Sequence, residues 1–275
     1  AEFGAHERDF SNENPGDHGQ EYLFPRKETM AYFASRGLRI VRLPILWERL
    51  QPILGAGLDQ AYTGRVLEQL DTAAFYGCKV VLDLHNHGRY RVSDRSRAHE
   101  FVLGEPQDGA QGLRSEHLSD LWLRLGSHVR EHQALMAYGL MNEPHDMGRA
   151  NWHETSNQVV RALRSAEDRT WVWVAGDEWS KAHEWLQYNP ESPWIEDPIG
   201  HTAYEAHLYF DRDGSGRYQL TFEEELRTDP NLLSRGSERL DPFAQWCKRG
   251  ACQESSASSG CPGSKGAGCQ CSTAF

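Results

Sequence analysis

Five short apolar runs, each ending in polar residues and followed by an amphipathic stretch, constrain this chain's fold more than any other feature. The runs are Leu38–Ile45, Lys79–Leu84, Ala134–Met141, Thr170–Ala175 and His201–Phe210. They are rich in β-branched and aromatic residues, and most are apolar on both faces, as strands of a covered parallel sheet require. Helices are expected over Lys27–Ser35, Gln60–Tyr76, Leu118–His132, Trp152–Asp168 and Lys181–Tyr188. In the second of these, Tyr62, Val66, Leu70, Ala73 and Ala74 recur at near-helical spacing. Strands joined by crossover helices of this length mean βαβ units and a parallel sheet. The residues before Gly4 read as the end of one more strand.

An open nucleotide-binding sheet is disfavoured. No Gly-x-Gly-x-x-Gly follows the first strong strand, and no Walker lysine motif is present. Polar residues also recur at the carboxyl ends of strands all along the chain, where an open sheet would gather them at one crevice. The expected fold is therefore α/β, a (β/α)8 TIM barrel, with about six of its eight units recognisable.

No stretch approaches the roughly 18 uninterrupted apolar residues that would span a membrane. A net charge of −11 argues against nucleic acid, whose phosphates call for clustered Lys and Arg. It suits a neutral partner such as a polysaccharide. Nine Trp, ten Tyr and ten Phe supply core and, at the surface, platforms for flat apolar ligand faces. The chain opens Ala1-Glu2-Phe3-Gly4, with no initiator Met, charged n-region or apolar h-region, so no signal peptide is legible at this end. Cys78 stands alone, Cys247 closes an amphipathic stretch, and Cys252, Cys261, Cys269 and Cys271 crowd the end. No Cys-x2-Cys pair supports a zinc ribbon.

Candidate chemistry lies at four strand ends. Arg42, inside Val41-Arg42-Leu43-Pro44, is costly in a buried strand unless it meets a carboxylate. His85 and Asn86 end Val80–Asn86, with His87 next; strand alternation would send His85 and His87 to opposite faces, which argues against a shared metal. Ala137–Pro144 reads as a buried strand that delivers Asn142 and Glu143 to its carboxyl end, where Pro144 stops the ladder. A carboxyl held there against apolar walls can be tuned into a general acid. His207 and Tyr209 point the same way from Ala206–Phe210.

These residues resemble glycoside hydrolase family 5, retaining cellulases with an eight-fold barrel. The likeness runs from Ala1 to about Trp246. It rests on Ala1-Glu2-Phe3-Gly4, Val41-Arg42-Leu43-Pro44 with Trp47-Glu48-Arg49, Asp83-Leu84-His85-Asn86, Asn142-Glu143-Pro144, Gly176-Asp177-Glu178-Trp179 and Glu205-Ala206-His207-Leu208-Tyr209. The resemblance implies a retaining endo-β-1,4-glucanase that uses two carboxyls about 5 Å apart. Glu143 would be the acid and later the base, and Asn142 would bind the sugar 2-hydroxyl. Arg42 and Tyr209 would hold the nucleophile ionised. His85, Asn86 and His207 would line the cleft, and Trp179 would stack on a sugar. It implies no cofactor and no metal, a monomer acting outside the cell, and a β-glucan polysaccharide or oligosaccharide as partner. A β-mannanase or other β-glucanase shares this set. A non-catalytic carbohydrate-binding protein and a metalloenzyme using His85, His87 and His207 are the readings from other classes.

The family's nucleophile, a Glu in Gly-Glu-Phe-Gly after the seventh strand, is missing. The family-like catalytic barrel is expected over residues 1–248, followed by an irregular Gly/Ser/Cys-rich tail over 249–275. Glu254 in that tail reads as an exposed residue. Reading each codon's last base with the first two of the next, permitted codons turn Gly250–Pro262 into Gly-Val-Pro-Gly-Ile-Ile-Gly-Glu-Phe-Gly-Val-Pro. That is a strand followed by the missing motif, so the tail is expected to be a frameshifted form of the last two barrel units. The chain as written is then expected to be less stable than the intact enzyme, prone to aggregate and nearly inactive.

Overall fold

The computed structural model describes residues 9–94, 97–105, 112–147, 151–257 and 270–274. Its centre is a parallel sheet. The strands are β1 (Ile40–Ile45), β2 (Lys79–Leu84), β5 (Leu135–Gly139), β6 (Trp171–Ala175), β7 (Thr202–His207) and β8 (Gln270–Ala274), hydrogen-bonded in that order. A two-stranded antiparallel hairpin, β3 (Arg89–Asp94) and β4 (Arg97–Val102), follows β2 at the carboxyl end. The sequence reading missed it, because Arg, Ser and Asp interrupt its alternation.

Helices lie between the strands: α1 (Lys27–Ser35), α2 (Trp47–Leu50), α3 (Gln60–Phe75), α4 (Ser115–Val129), α5 (Trp152–Ser165) and α6 (Trp185–Tyr188). Two of the longer ones begin at side-chain caps: Asp59 accepts from the Tyr62 N–H and Asn151 from the Glu154 N–H. After β7 come α7 (Phe222–Thr228), α8 (Leu232–Glu238) and α9 (Asp241–Ala257). Among the described residues no helix is long and apolar enough to cross a membrane.

The sheet has two unlike faces. Val41, Leu43, Ile45, Val80, Leu82, Leu84, Tyr138, Val172, Val174, Tyr204 and Ala206 point to the helices and join one core with Trp47, Trp122, Trp152 and Trp185. The alternate residues face inward and include Arg42, Asp83, Glu205 and His207, with Pro44 paired to Asp83 and Ala175 to Glu205. The expectation of strands apolar on both faces is thus corrected. The inner face carries a layer of charge, which survives burial because its members pair with one another.

The tail expectation is also corrected in part. The irregular segment was placed from residue 249, but α9 continues to Ala257 and Gln270–Ala274 is a strand parallel to β7. Phe243 and Trp246 anchor α9 against Trp185, with ring centroids 4.6 and 5.3 Å away. The helix-compatible Ala251, Gln253 and Glu254 let it run on. An extended segment needs only its backbone to satisfy the edge of β7. Cys247 is disulfide-bonded. The opening strand proposed before Gly4 and most of the segment after Ala257 lie outside the described residues.

Candidate active site

The site forms where β1, β2, β5 and β7 end. Leu140, Met141 and Asn142 prolong β5, and the Asn142 N–H bonds to the Leu84 carbonyl at 2.7 Å. Glu143 then takes a left-handed backbone (φ 41°), which lifts its carboxyl out of the strand direction just before Pro144. Arg42, His85, Asn142, Glu143, His207, Leu208 and Tyr209 line a cleft of about 240 Å³. Glu143 is the only carboxyl among these lining residues.

Arg42 meets two carboxylates. Its Nη2 lies 2.9 Å from Asp83 Oδ1 and 3.0 Å from Glu205 Oε1, and it also donates to Asn142 Oδ1 at 2.7 Å. Among the described residues its buried Nε has no hydrogen-bond partner. Asp83 Oδ2 accepts a hydrogen bond from His85 Nδ1–H at 2.7 Å, which leaves His85 Nε2 to accept from the Asn142 amide at 3.3 Å.

His207 lies between two acids. Nδ1 is 2.6 Å from Glu143 Oε1, and Nε2 is 2.7 Å from Glu205 Oε1. The Tyr209 hydroxyl donates to the same Glu143 oxygen at 2.7 Å. Burial alone would raise the Glu143 carboxyl. The hydrogen bond and charge of His207, with Tyr209, overcome it and bring the group down to about 2. Burial would lower His207, but its hydrogen bonds to Glu143 and Glu205 lift it to about 9. Burial likewise opposes ionisation of Glu205, and His207 and Arg42 reverse it. The other oxygen, Glu143 Oε2, has His87 Nδ1 at 3.8 Å.

Among the described residues Tyr209 bonds Glu143, and Arg42 bonds Asp83, Asn142 and Glu205; the nucleophile they are expected to hold is not among them. Other expectations need correction. Asn86 is not in the cleft. Its amide is buried, accepting from the Trp47 N–H at 2.8 Å and donating to Glu48 at 2.7 Å. It pins α2 to the end of β2. Trp179 lies beside the cleft lining, stacked on His145 at 4.1 Å with the Lys181 ammonium 4.6 Å from its ring. His85 and His87 do not diverge. The strand has already ended at Leu84, and the left-handed backbone of His87 (φ 53°) brings both rings to the Asn142 amide. Burial first, and then the neighbouring His85 ring, lower His87 to about 4, so it is neutral at pH 7. Among the described residues no set of three or more His, Cys, Asp or Glu is gathered to hold a metal.

Asp83, Glu205 and His87 were missed as site residues. The cost argument that singled out Arg42 applies equally to Asp83 and Glu205, both acids inside apolar strands.

A parallel βα winding with a buried Arg–carboxylate–His layer beneath a cleft-lining carboxyl at the end of β5 describes a barrel hydrolase site. Residues 3–251 match the family Cellulase (glycosyl hydrolase family 5), and the chain belongs to that family, whose fold is the (β/α)8 barrel. Pseudomonas stutzeri endoglucanase Cel5A is 34% identical and superposes with a TM-score of 0.74, over 90% of this chain and 70% of that one. The endo-β-1,4-glucanase of Xanthomonas axonopodis pv. citri is 28% identical with a TM-score of 0.69, over 85% and 69%. A Neosartorya fischeri protein named "Probable endo-beta-1,4-glucanase B" is 28% identical over 250 residues, 90% of this chain and 66% of that protein. The chain therefore spans about two thirds of the length of the curated relatives it matches.

Proposed function

We propose that this chain carries the acid/base half of a retaining endo-β-1,4-glucanase acting on β-glucan. The observation that carries the reading is Glu143: both short donors, His207 and Tyr209, sit on Oε1, so Oε2 is left for the glycosidic oxygen. Asn142, held by Arg42, is placed to hydrogen-bond a sugar hydroxyl, and that bond counts where it strengthens in the transition state. Trp179 supplies a sugar-stacking face once His145 moves aside. The activity of the relatives named above supports β-1,4-glucan over mannan. On this reading the enzyme is extracellular and monomeric.

The second carboxyl is the missing part. Arg42 Nε, unpartnered among the described residues, supports a carboxylate being held beside it. A nucleophile about 5 Å from Glu143 would also raise Glu143 by like-charge repulsion, turning a resting carboxylate into an acid. The frameshift reading of residues 249–275 would restore it. Sequencing the coding DNA from Cys247 to Phe275 tests this directly; a shifted frame without Gly-Glu-Phe-Gly across Ala257 and Ser258 refutes it. The frame-restored enzyme is expected to cleave carboxymethylcellulose faster than mannan. Faster cleavage of mannan would make it a mannanase, and sugar binding without turnover would make it a binding protein.

A further inference from the structure

Glu205 is among the most deeply buried acids of the chain, 2% exposed, and it does not line the cleft. An ionised carboxylate in such a place is costly unless fully paired. Here it is paired on both sides. One neighbour is Arg42, at 3.0 Å, reaching across from β1; the other is His207 Nε2, at 2.7 Å, two residues along β7 itself. The opposite nitrogen of that ring contacts Glu143.

We propose that Glu205 is a positioning residue: from beneath the cleft it keeps a proton on both nitrogens of His207, so that the ring donates to Glu143 Oε1 and leaves Oε2 to the substrate. A neutral imidazole can donate from only one nitrogen. Without a charged acceptor at Nε2, the remaining proton could sit there, and Nδ1 would then repel Glu143 Oε1. The groups around His207 fit this role. Glu143 follows β5, Glu205 and Tyr209 belong to β7 and its end, Arg42 comes from β1, and Asp83 and His87 come from β2 and its end. Two acids touch the ring, while Arg42 is shared by Asp83 and Glu205. The raised His207 and lowered Glu143 values agree with this arrangement.

The inference rests on Glu143 being the acid/base, but its test needs no turnover. In the 275-residue chain, with ¹⁵N-labelled histidine and ¹³C-labelled glutamate, His207 is followed by NMR and assigned with a His207→Asn variant. Both ring nitrogens are expected to be protonated at pH 7. A neutral ring there overturns the proposal, even if no variant folds. In Glu205→Gln the His207 midpoint should fall by about 1–3 pH units, the Glu143 midpoint should rise, and Glu205→Asp should restore both toward the parent. A His207 midpoint that does not move in Glu205→Gln overturns it. Failure of the frame-restored enzyme to turn over would instead count against the glucanase reading.

Discussion

The two faces of one sheet are built on opposite principles. The outer face of β1, β2, β5, β6 and β7 holds aliphatic and aromatic side chains against helices, and any of them can be exchanged for another of similar volume at modest cost. The inner face holds Arg42, Asp83, Glu205 and His207, and each is tolerable only because the others are present. Stability on the first face scales with volume filled. On the second it depends on charge balance, and so on pH. The chemistry at the strand ends is continuous with the second.

The largest test of that contrast is Glu143→Gln in the frame-restored enzyme. Loss of the proton donor should cut turnover of unactivated glucan by about 10²–10⁴-fold, and loss of its pairing with His207 should lower the melting temperature near neutral pH. Retained activity in a cellulose assay would remove the acid assignment. Next is Arg42→Ala, which strands Asp83 and Glu205 as buried, half-paired carboxylates. A loss of about 3–5 kcal/mol in urea unfolding is expected. Leu82→Ala, from the outer face of the adjacent strand, should cost about 2–5 kcal/mol and leave the pH dependence of unfolding unchanged. If Leu82→Ala altered that dependence, the two faces would not be separate systems.

The unaltered chain should show the pH dependence itself. His207 is raised from 6.5 to about 9, so its contribution is complete below pH 6.5 and is lost as pH rises through 9. Glu143 is lowered from 4.5 to about 2, so its contribution is complete above pH 4.5 and fades as pH falls toward 2. Melting temperature should therefore peak between pH 4.5 and 6.5; a steady rise through pH 9 would contradict the pairing. The smallest effect belongs to Trp179→Ala. It should weaken cello-oligosaccharide affinity by up to about tenfold, measured by calorimetry, with little change in stability.

Much of the fold was legible because strand and helix periodicities are local. β2 and α1 have the bounds their sequence suggests, and the other shared elements differ by a few residues. Glu143, Asn142, Arg42, His85, His207 and Tyr209 could be read because polar side chains in apolar runs advertise their own cost. What could not be read was direction. Asn86 looks like a cleft residue, but it turns inward to Glu48; His87 looks divergent, but a left-handed residue returns it to Asn142. Both outcomes depend on backbone angles after the strand has ended, where alternation no longer applies. The hairpin after β2 was missed because Arg, Ser and Asp interrupt its alternation; Glu48, accepting from the Arg91 N–H, ties it to α2.

The left-handed backbone at Glu143 has a consequence for how such a chain would decay. A non-glycine residue there carries roughly 1–3 kcal/mol of strain, and Glu178, Trp179 and Ser180 share the same unfavourable conformation in succession. Wherever a lineage stopped needing the reaction, glycine at these positions would make the molecule sturdier. Mutational drift would then run downhill away from the carboxyl and the indole, and recovering either would be an uphill step.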